Sequence, residues 1–228
     1  MFLEQMKTMD FDPKKKYIVV VPMGTTEQHG PFLPLGTDSY IQNAIIEQTE
    51  SLVSEVIFLP TLRITCSKEH SGFPGSVYIE KETMEKILHD ICVSLQPYVK
   101  SIAFISWHGG NISMLNRFVE ANRNSFQGIH LEHLQCGSEE ILKKTAELLG
   151  GPVDEHAGNS EISMVFSLEP SLVIVPPKEY PKQKIENAWD SERLIDVSKD
   201  GIVDNHPAWV VDKKMGELFI QMEVQELK

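Results

Sequence analysis

The segment from Gly24 to Asp38 carries three side chains whose types and spacing could do metal chemistry: Glu27, His29 and Asp38. Glu27 and His29 are two residues apart, so in an extended segment both point to the same side. Gly30, Pro31, Pro34 and Gly36 punctuate the residues after this pair and can turn the chain back, bringing Asp38 towards it. Two carboxylates and an imidazole on one loop make a donor set for a divalent ion. The spacing leaves an alternative open, a polar loop with a surface Glu27 and with Asp38 as an N-cap.

Three further stretches bear on the same chemistry. His108, in Ser106-Trp107-His108-Gly109-Gly110-Asn111, ends an apolar run, and the two glycines after it let backbone approach a ligand closely. A single histidine there is usually a structural residue, and Trp107 is either core at a strand end or a wall facing substrate. In the segment from Asp154 to Ser163, Asn159 or Ser160 would cap a helix and place Glu161 in its first turn. A carboxylate is favoured at that position by the helix dipole alone, or it is a further ligand. His156 would face the pocket and could move protons near neutral pH. The third stretch, Cys66 to Ser76, is a Gly/Pro-rich loop with Ser67, Glu69 and His70, suited to lining a pocket but fixing no chemistry by spacing. Cys66 reads as small packing, and His89, His130, His133 and His206 have no supporting neighbours.

The elements that must position these groups alternate. Short apolar, β-branched runs at 16–22, 55–60, 101–107, 128–135 and 172–175 predict strands. Helical spacing predicts helices over 39–53, 82–99, 111–122, 138–149, 160–168 and 207–228, the fourth capped by Ser138 and ended by Gly150. Strands alternating with helices indicate an α/β fold, a mostly parallel sheet covered on both faces. Ligands in such folds sit beyond the carboxyl ends of strands, where the Gly24–Asp38 loop and His108 fall.

Composition narrows the partners. The 228 residues suit one domain spanning 1–228, and 41% hydrophobic content supports a packed core. A formal charge of −12 gives no broad attraction to nucleic acid or to an anionic membrane surface. Cys66, Cys92 and Cys136 are odd in number, with no CxxC pair, which supports neither a disulfide framework nor a zinc knuckle. No secretory leader and no apolar run of about 18 to 20 residues is evident, so the expected setting is cytoplasmic.

Together these stretches resemble the creatininase (creatinine amidohydrolase) family. The resemblance rests on Gly-x-x-Glu-Gln-His-Gly-Pro-x-Leu-Pro-Leu-x-Thr-Asp from Gly24 to Asp38, EHxxFPG from Glu69, HGGN from His108 and HAGxxExS from His156. A Gly/Pro loop, Gly201 to Pro207, precedes the last helix as in the family. The resemblance implies a three-layer αβα sandwich and a two-metal hydrolytic centre. Glu27 would hold one ion, His29 the other, Asp38 would bridge both and His108 would complete the first. Glu161 is assigned as the remaining ligand of the second. That set suits two divalent ions of Zn²⁺, Mn²⁺ or Fe²⁺. His156 and Glu69 would be catalytic, with Ser67, His70 and Trp107 towards substrate. Relatives commonly form homo-oligomers, hexamers among them.

The sequence also departs from the family pattern. Creatininase proper carries a Glu two residues after the His of HGGN, where this chain has Gly110, and Phe32, Ser106, Trp107 and Asn159 differ as well. These changes spare the four best ligands and count against creatinine itself as substrate. The leading expectation is hydrolysis of a C–N bond in a small polar cyclic amide or formamide by water activated between the ions. The alternatives are a relative cleaving a keto-sugar at carbon, and an inactive metal-binding relative.

Overall fold

The computed structural model describes residues 1–12 and 14–227. Four strands, β1 Tyr17–Met23, β2 Val56–Phe58, β3 Val99–Ser106 and β4 His130–Gln135, pair in the order β2-β1-β3-β4. Every pairing is parallel, with Val19 opposite both Ile57 and Ile102, and Ile102 opposite Leu131. β1 is a nearly continuous buried run of apolar residues, as a parallel strand covered on both faces must be.

Six helices supply the covers: α1 Thr37–Glu50, α2 Lys81–Leu95, α3 Ile112–Asn122, α4 Glu139–Leu149, α5 Asn159–Leu168 and α6 Lys213–Glu226. On one face Val19, Val21, Ile102 and Phe104 pack against Met84 and Leu88 of α2 and Leu115 and Phe118 of α3. On the other, Val20, Ala103 and Ile105 meet Ile46 of α1. Behind α1, Ile41 and Ile45 join Ile162 and Val165 of α5 and Phe219 and Ile220 of α6. Helices, sheet and helices therefore form the three layers of an α/β fold.

Connectivity places the functional crevice. The chain leaves β1 for β2 on one side, then crosses back so that β3 lies on the other side of β1. The carboxyl ends of β1 and β3 are thus adjacent at the point where the connections diverge, the usual ligand position in such sheets.

Several boundaries differ from the sequence expectation. Residues 172–175 form no strand. Pro170–Leu172 is a 3₁₀ turn, Ile174 N–H donates to Phe32 O (2.9 Å), and Val173 packs on the α1–α5–α6 cluster while Ile174 and Val175 are exposed, so the run has no sheet edge to join. α1 starts at Thr37 and stops at Glu50. α2 stops at Leu95 because Pro97 has no N–H to continue the helical ladder, and Val99 opens β3 instead. The last helix starts at Lys213, where Asp212 caps it by accepting from Met215 N–H at 2.9 Å. Its expected end at Lys228 lies outside the described residues. Cys66, Cys92 and Cys136 are free and buried, and no described helix is long and apolar enough to cross a membrane.

Candidate metal centre

The loop after β1 folds back on itself. Glu27 N–H donates to Leu35 O (2.9 Å), Ser39 Oγ donates to Thr25 O (2.9 Å), and Thr25 Oγ1 donates to Asp38 Oδ2. These ties set Asp38, in the first turn of α1, beside Glu27 and His29. His108 joins from the end of β3. Glu161 joins from the first turn of α5, where its Oε2 accepts from Ala157 N–H at 2.6 Å. Ala157 holds a left-handed φ of 57° to present that N–H, an uncommon conformation for a residue with a Cβ.

The start of α5 is itself clamped. Asp154 accepts from Ser160 N–H (2.8 Å) and Ser160 Oγ (2.9 Å). Lys182 pairs with Asp204, donates to Asn159 Oδ1 (3.1 Å) and lies 4.1 Å from the Trp209 ring centroid.

Two triads result. Glu27, Asp38 and His108 offer ligand atoms within 4.8 Å of one another, and so do His29, Asp38 and Glu161. A third grouping, Glu27, His29 and His156, overlaps them. Hydrogen bonding selects the ring nitrogens. His29 Nδ1–H donates to Glu27 O (3.2 Å), so Nε2 is the nitrogen turned towards Asp38 Oδ1 (3.5 Å) and Glu161 Oε2 (3.8 Å). His108 Nε2–H donates to Cys66 O (2.9 Å) and lies 3.2 Å from Glu69 Oε1, leaving Nδ1 towards Glu27 Oε1 (3.2 Å) and Asp38 Oδ2 (3.6 Å). An outer hydrogen bond that fixes tautomer and ring plane is the usual support of a metal-binding imidazole.

Both Glu27 carboxylate oxygens and His29 Nε2 are buried and make no hydrogen bond. Complete burial pushes the Glu27 pKa up, an effect only partly offset by His108. Burial alone would lower the pKa of His29, but the Asp38 and Glu161 carboxylates overcome it and raise it to about 10. Burial pushes Glu161 up to about 7. Orphaned buried acceptors converging from three loops are costly without a cation. The donor set, oxygens and imidazole nitrogens with no thiolate, fits a divalent ion such as Zn²⁺ or Mn²⁺.

Above this floor lies a cavity of about 540 Å³, lined by Asp38, Glu69, His70, Lys81, Trp107, His108, Gly109, Gly110, Ser113, Glu155, His156, Glu161 and Trp189. Glu69 reaches the cavity from a 3₁₀ turn, Lys68–His70, and occupies the space that a Cβ on Gly110 would need. His70 Nε2 faces Glu27 Oε1 at 3.2 Å. Ser67, expected towards substrate, is instead wholly buried with its Oγ unpartnered, and it is absent from the cavity wall. His156 Nε2–H donates to Gln28 O (2.9 Å), so Nδ1 carries the lone pair and faces Glu27 Oε1 at 4.0 Å.

Sequence reasoning passed over Gln28, Glu155, Lys81 and Trp189. Gln28 Nε2 bridges His70 Nδ1 (3.0 Å) and Gly201 O (3.1 Å). Gly201, at φ 78°, leaves room for that amide where a Cβ would strike it. The signal for Gln28 was its place between Glu27 and His29 in the loop after β1. Trp189, whose Nε1–H donates to Glu155 (2.8 Å), lies in an irregular segment with no periodicity to read.

A family model described as "Creatininase: Creatinine amidohydrolase" matches residues 4–228. The chain belongs to the creatininase family. That family is one of metal-dependent hydrolases. A mycofactocin precursor peptide peptidase from Mycolicibacterium smegmatis is 32% identical over 162 residues, 69% of this chain and 60% of that protein. The chain thus spans about three fifths of the length of the curated relatives it matches. Among solved structures, a mutant creatininase complexed with creatine superposes with a TM-score of 0.78 at 17% identity, covering 99% of this chain and 95% of that one. A creatininase described as the Mn form gives 0.75 at 17%, with the same coverage, and a Zn–Zn type is also similar in fold. These likenesses carry the three-layer fold.

Proposed function

We propose that this creatininase-family chain is a binuclear metal-dependent hydrolase that cleaves the C–N bond of an amide. The observation that carries the reading is the convergence of unpartnered, buried Glu27 oxygens and His29 Nε2 with Asp38, His108 and Glu161. Glu27, Asp38 and His108 would hold one divalent ion, and His29, Asp38 and Glu161 a second. Bound there, the ions would supply Lewis acidity towards an amide carbonyl and activation of water at neutral pH. His156, neutral because burial pushes its pKa well down, accepts a proton at Nδ1 and returns it to the departing nitrogen. Glu69 and the Cys66 carbonyl hold the His108 ring, and Trp107 and Trp189 exclude water from the cavity walls.

The cavity's size favours an extended amide. A second cavity of about 290 Å³ shares Trp107, Gly109, Glu155 and Glu161 with the first, so the two adjoin along one groove. Such a volume suits a ligand with groups on both sides of the scissile bond. That agrees with a peptide bond, the target named for the mycobacterial relative. A small cyclic amide or formamide is the second reading, favoured by the creatine bound to the structural neighbour.

Metal analysis and turnover test this together. Zinc- or manganese-loaded protein should carry two ions per chain by elemental analysis and release amine from short acylated peptides. Asp38→Asn should drop metal content to one ion or fewer and abolish turnover. Hydrolysis that persists in Asp38→Asn, or fewer than one ion in the wild type, overturns the proposal.

A further inference from the structure

Lys81 opens α2, and its half-buried side chain lies on the wall of the larger cavity. Among the described residues it is the one lysine or arginine lining the cavity, whose wall also carries Asp38, Glu69, Glu155 and Glu161. In a chain with 33 acidic and 21 basic residues, an ammonium so placed has ample carboxylate to pair with. The surrounding carboxylates are nevertheless taken. Glu69 faces His108 Nε2 at 3.2 Å, Glu155 accepts from the Trp189 indole at 2.8 Å, Glu80 pairs with Lys68 at 2.8 Å and Glu85 pairs with Arg117 at 2.7 Å. Glu82, next in the chain, is exposed, and among the described residues no carboxylate forms an ion pair with Lys81. Its single hydrogen bond goes to Ser113 Oγ, at 3.2 Å.

This arrangement leaves two N–H bonds of the ammonium and the Ser113 hydroxyl proton free to donate, side by side on the cavity wall. Two donors, one of them charged, match the two oxygens of a carboxylate. We propose that Lys81, seconded by Ser113, is a specificity-determining residue that binds a free carboxylate on the substrate, so that the substrate class is an amide or peptide bearing a carboxylate beyond the scissile bond. This rests on the hydrolase reading for the identity of the scissile bond, and on the cavity wall alone for the carboxylate. A neutral analogue would leave the ammonium without a counter-ion, which is how a charged site rejects the uncharged form of its ligand.

The test uses zinc-loaded protein with N-acetylglycylglycine and its C-terminal carboxamide, reading dissociation constants by calorimetry and KM and kcat where turnover occurs. Wild type should bind the carboxylate form about tenfold or more tightly than the carboxamide. Lys81→Met should lose that preference, with zinc content and carboxamide affinity kept and the loss falling on KM more than on kcat, and Lys81→Arg should restore part of it. Equal binding of both probes by wild type, an equal loss for both in Lys81→Met, or a preference that survives in Lys81→Met each overturns the proposal. Repeating the pair with N-acetylglycine and with a pentapeptide separates a small acyl amino acid from a peptide C-terminus as the source of the carboxylate. A Lys81-dependent preference without cleavage of any probe refutes the hydrolase reading alone; cleavage without preference refutes this one alone.

Discussion

Both Glu27 oxygens are sealed from water and accept no well-formed hydrogen bond, His70 Nε2 lying 3.2 Å from Oε1, while a neighbouring carboxylate, Asp38, adds repulsion. In the metal-free protein that arrangement opposes folding, and a bound cation reverses the sign. Glu27→Gln should therefore stabilise the metal-free protein by about 1–3 kcal/mol, a rise in Tm of several degrees. The same change should weaken zinc binding and shrink the upward Tm shift that zinc produces. Thermal melts with and without zinc read both effects, and a metal-free variant less stable than wild type would contradict the argument. Glu27, His29, Asp38, His108 and Glu161 were candidates in the sequence through the family-like motifs, and the loop after β1, the end of β3 and the first turns of α1 and α5 bring them to one crevice. Lys81 was not, because its meaning lies in the ion pairs it lacks, and those depend on where Lys68, Arg117, His108 and Trp189 point.

The helices were legible through their apolar spacing and their caps, as with Ser138, whose Oγ accepts from Ile141 N–H, and Gly150 in the left-handed conformation just beyond α4. Residues 172–175 misled because β-branched composition states a preference without supplying a strand partner: only Val173 packs, on the α1–α5–α6 cluster, and Ile174 and Val175 stay exposed. α5 is the element on which the second triad depends. Its first turn has no side-chain N-cap, since Gly158 stands at that position, so Asp154 satisfies the Ser160 N–H from outside the helix. Asp154→Ala should cost about 1–2 kcal/mol, the usual effect of losing a cap and a charged hydrogen bond. It should also weaken one of two zinc-binding steps by about tenfold while sparing the other, because Glu161 loses its support and Glu27 and His108 do not. Denaturant melts and a zinc titration check the two parts, and equal weakening of both steps would show that α5 does not position the site independently.

Across the whole molecule, an acidic excess of 12 charges makes the protonation of buried carboxylates a term in global stability. Glu223 isolates that term because it lies on α6, outside both metal triads. Its side chain is buried, accepts from Gly137 N–H at 3.0 Å, and ties α6 to the turn after β4. Burial pushes its pKa up from 4.5 to about 7. Between those values the folded protein holds a proton at Glu223 that the unfolded chain has released. Stability therefore falls as pH rises from about 4.5 to about 7, and Glu223 adds no slope below or above that window. A shift of this order corresponds to about 3 kcal/mol. Glu223→Gln retains the oxygen that accepts from Gly137 and cannot ionise. The variant should match wild type near pH 4.5, exceed it in stability above pH 7, and lose this component of the pH slope between. Urea melts of wild type and variant across that range measure the difference directly. A variant equally stable relative to wild type at both ends would mean that Glu223 ionises in the folded protein at an ordinary carboxylate pKa, with water reaching the α4–α6 seam.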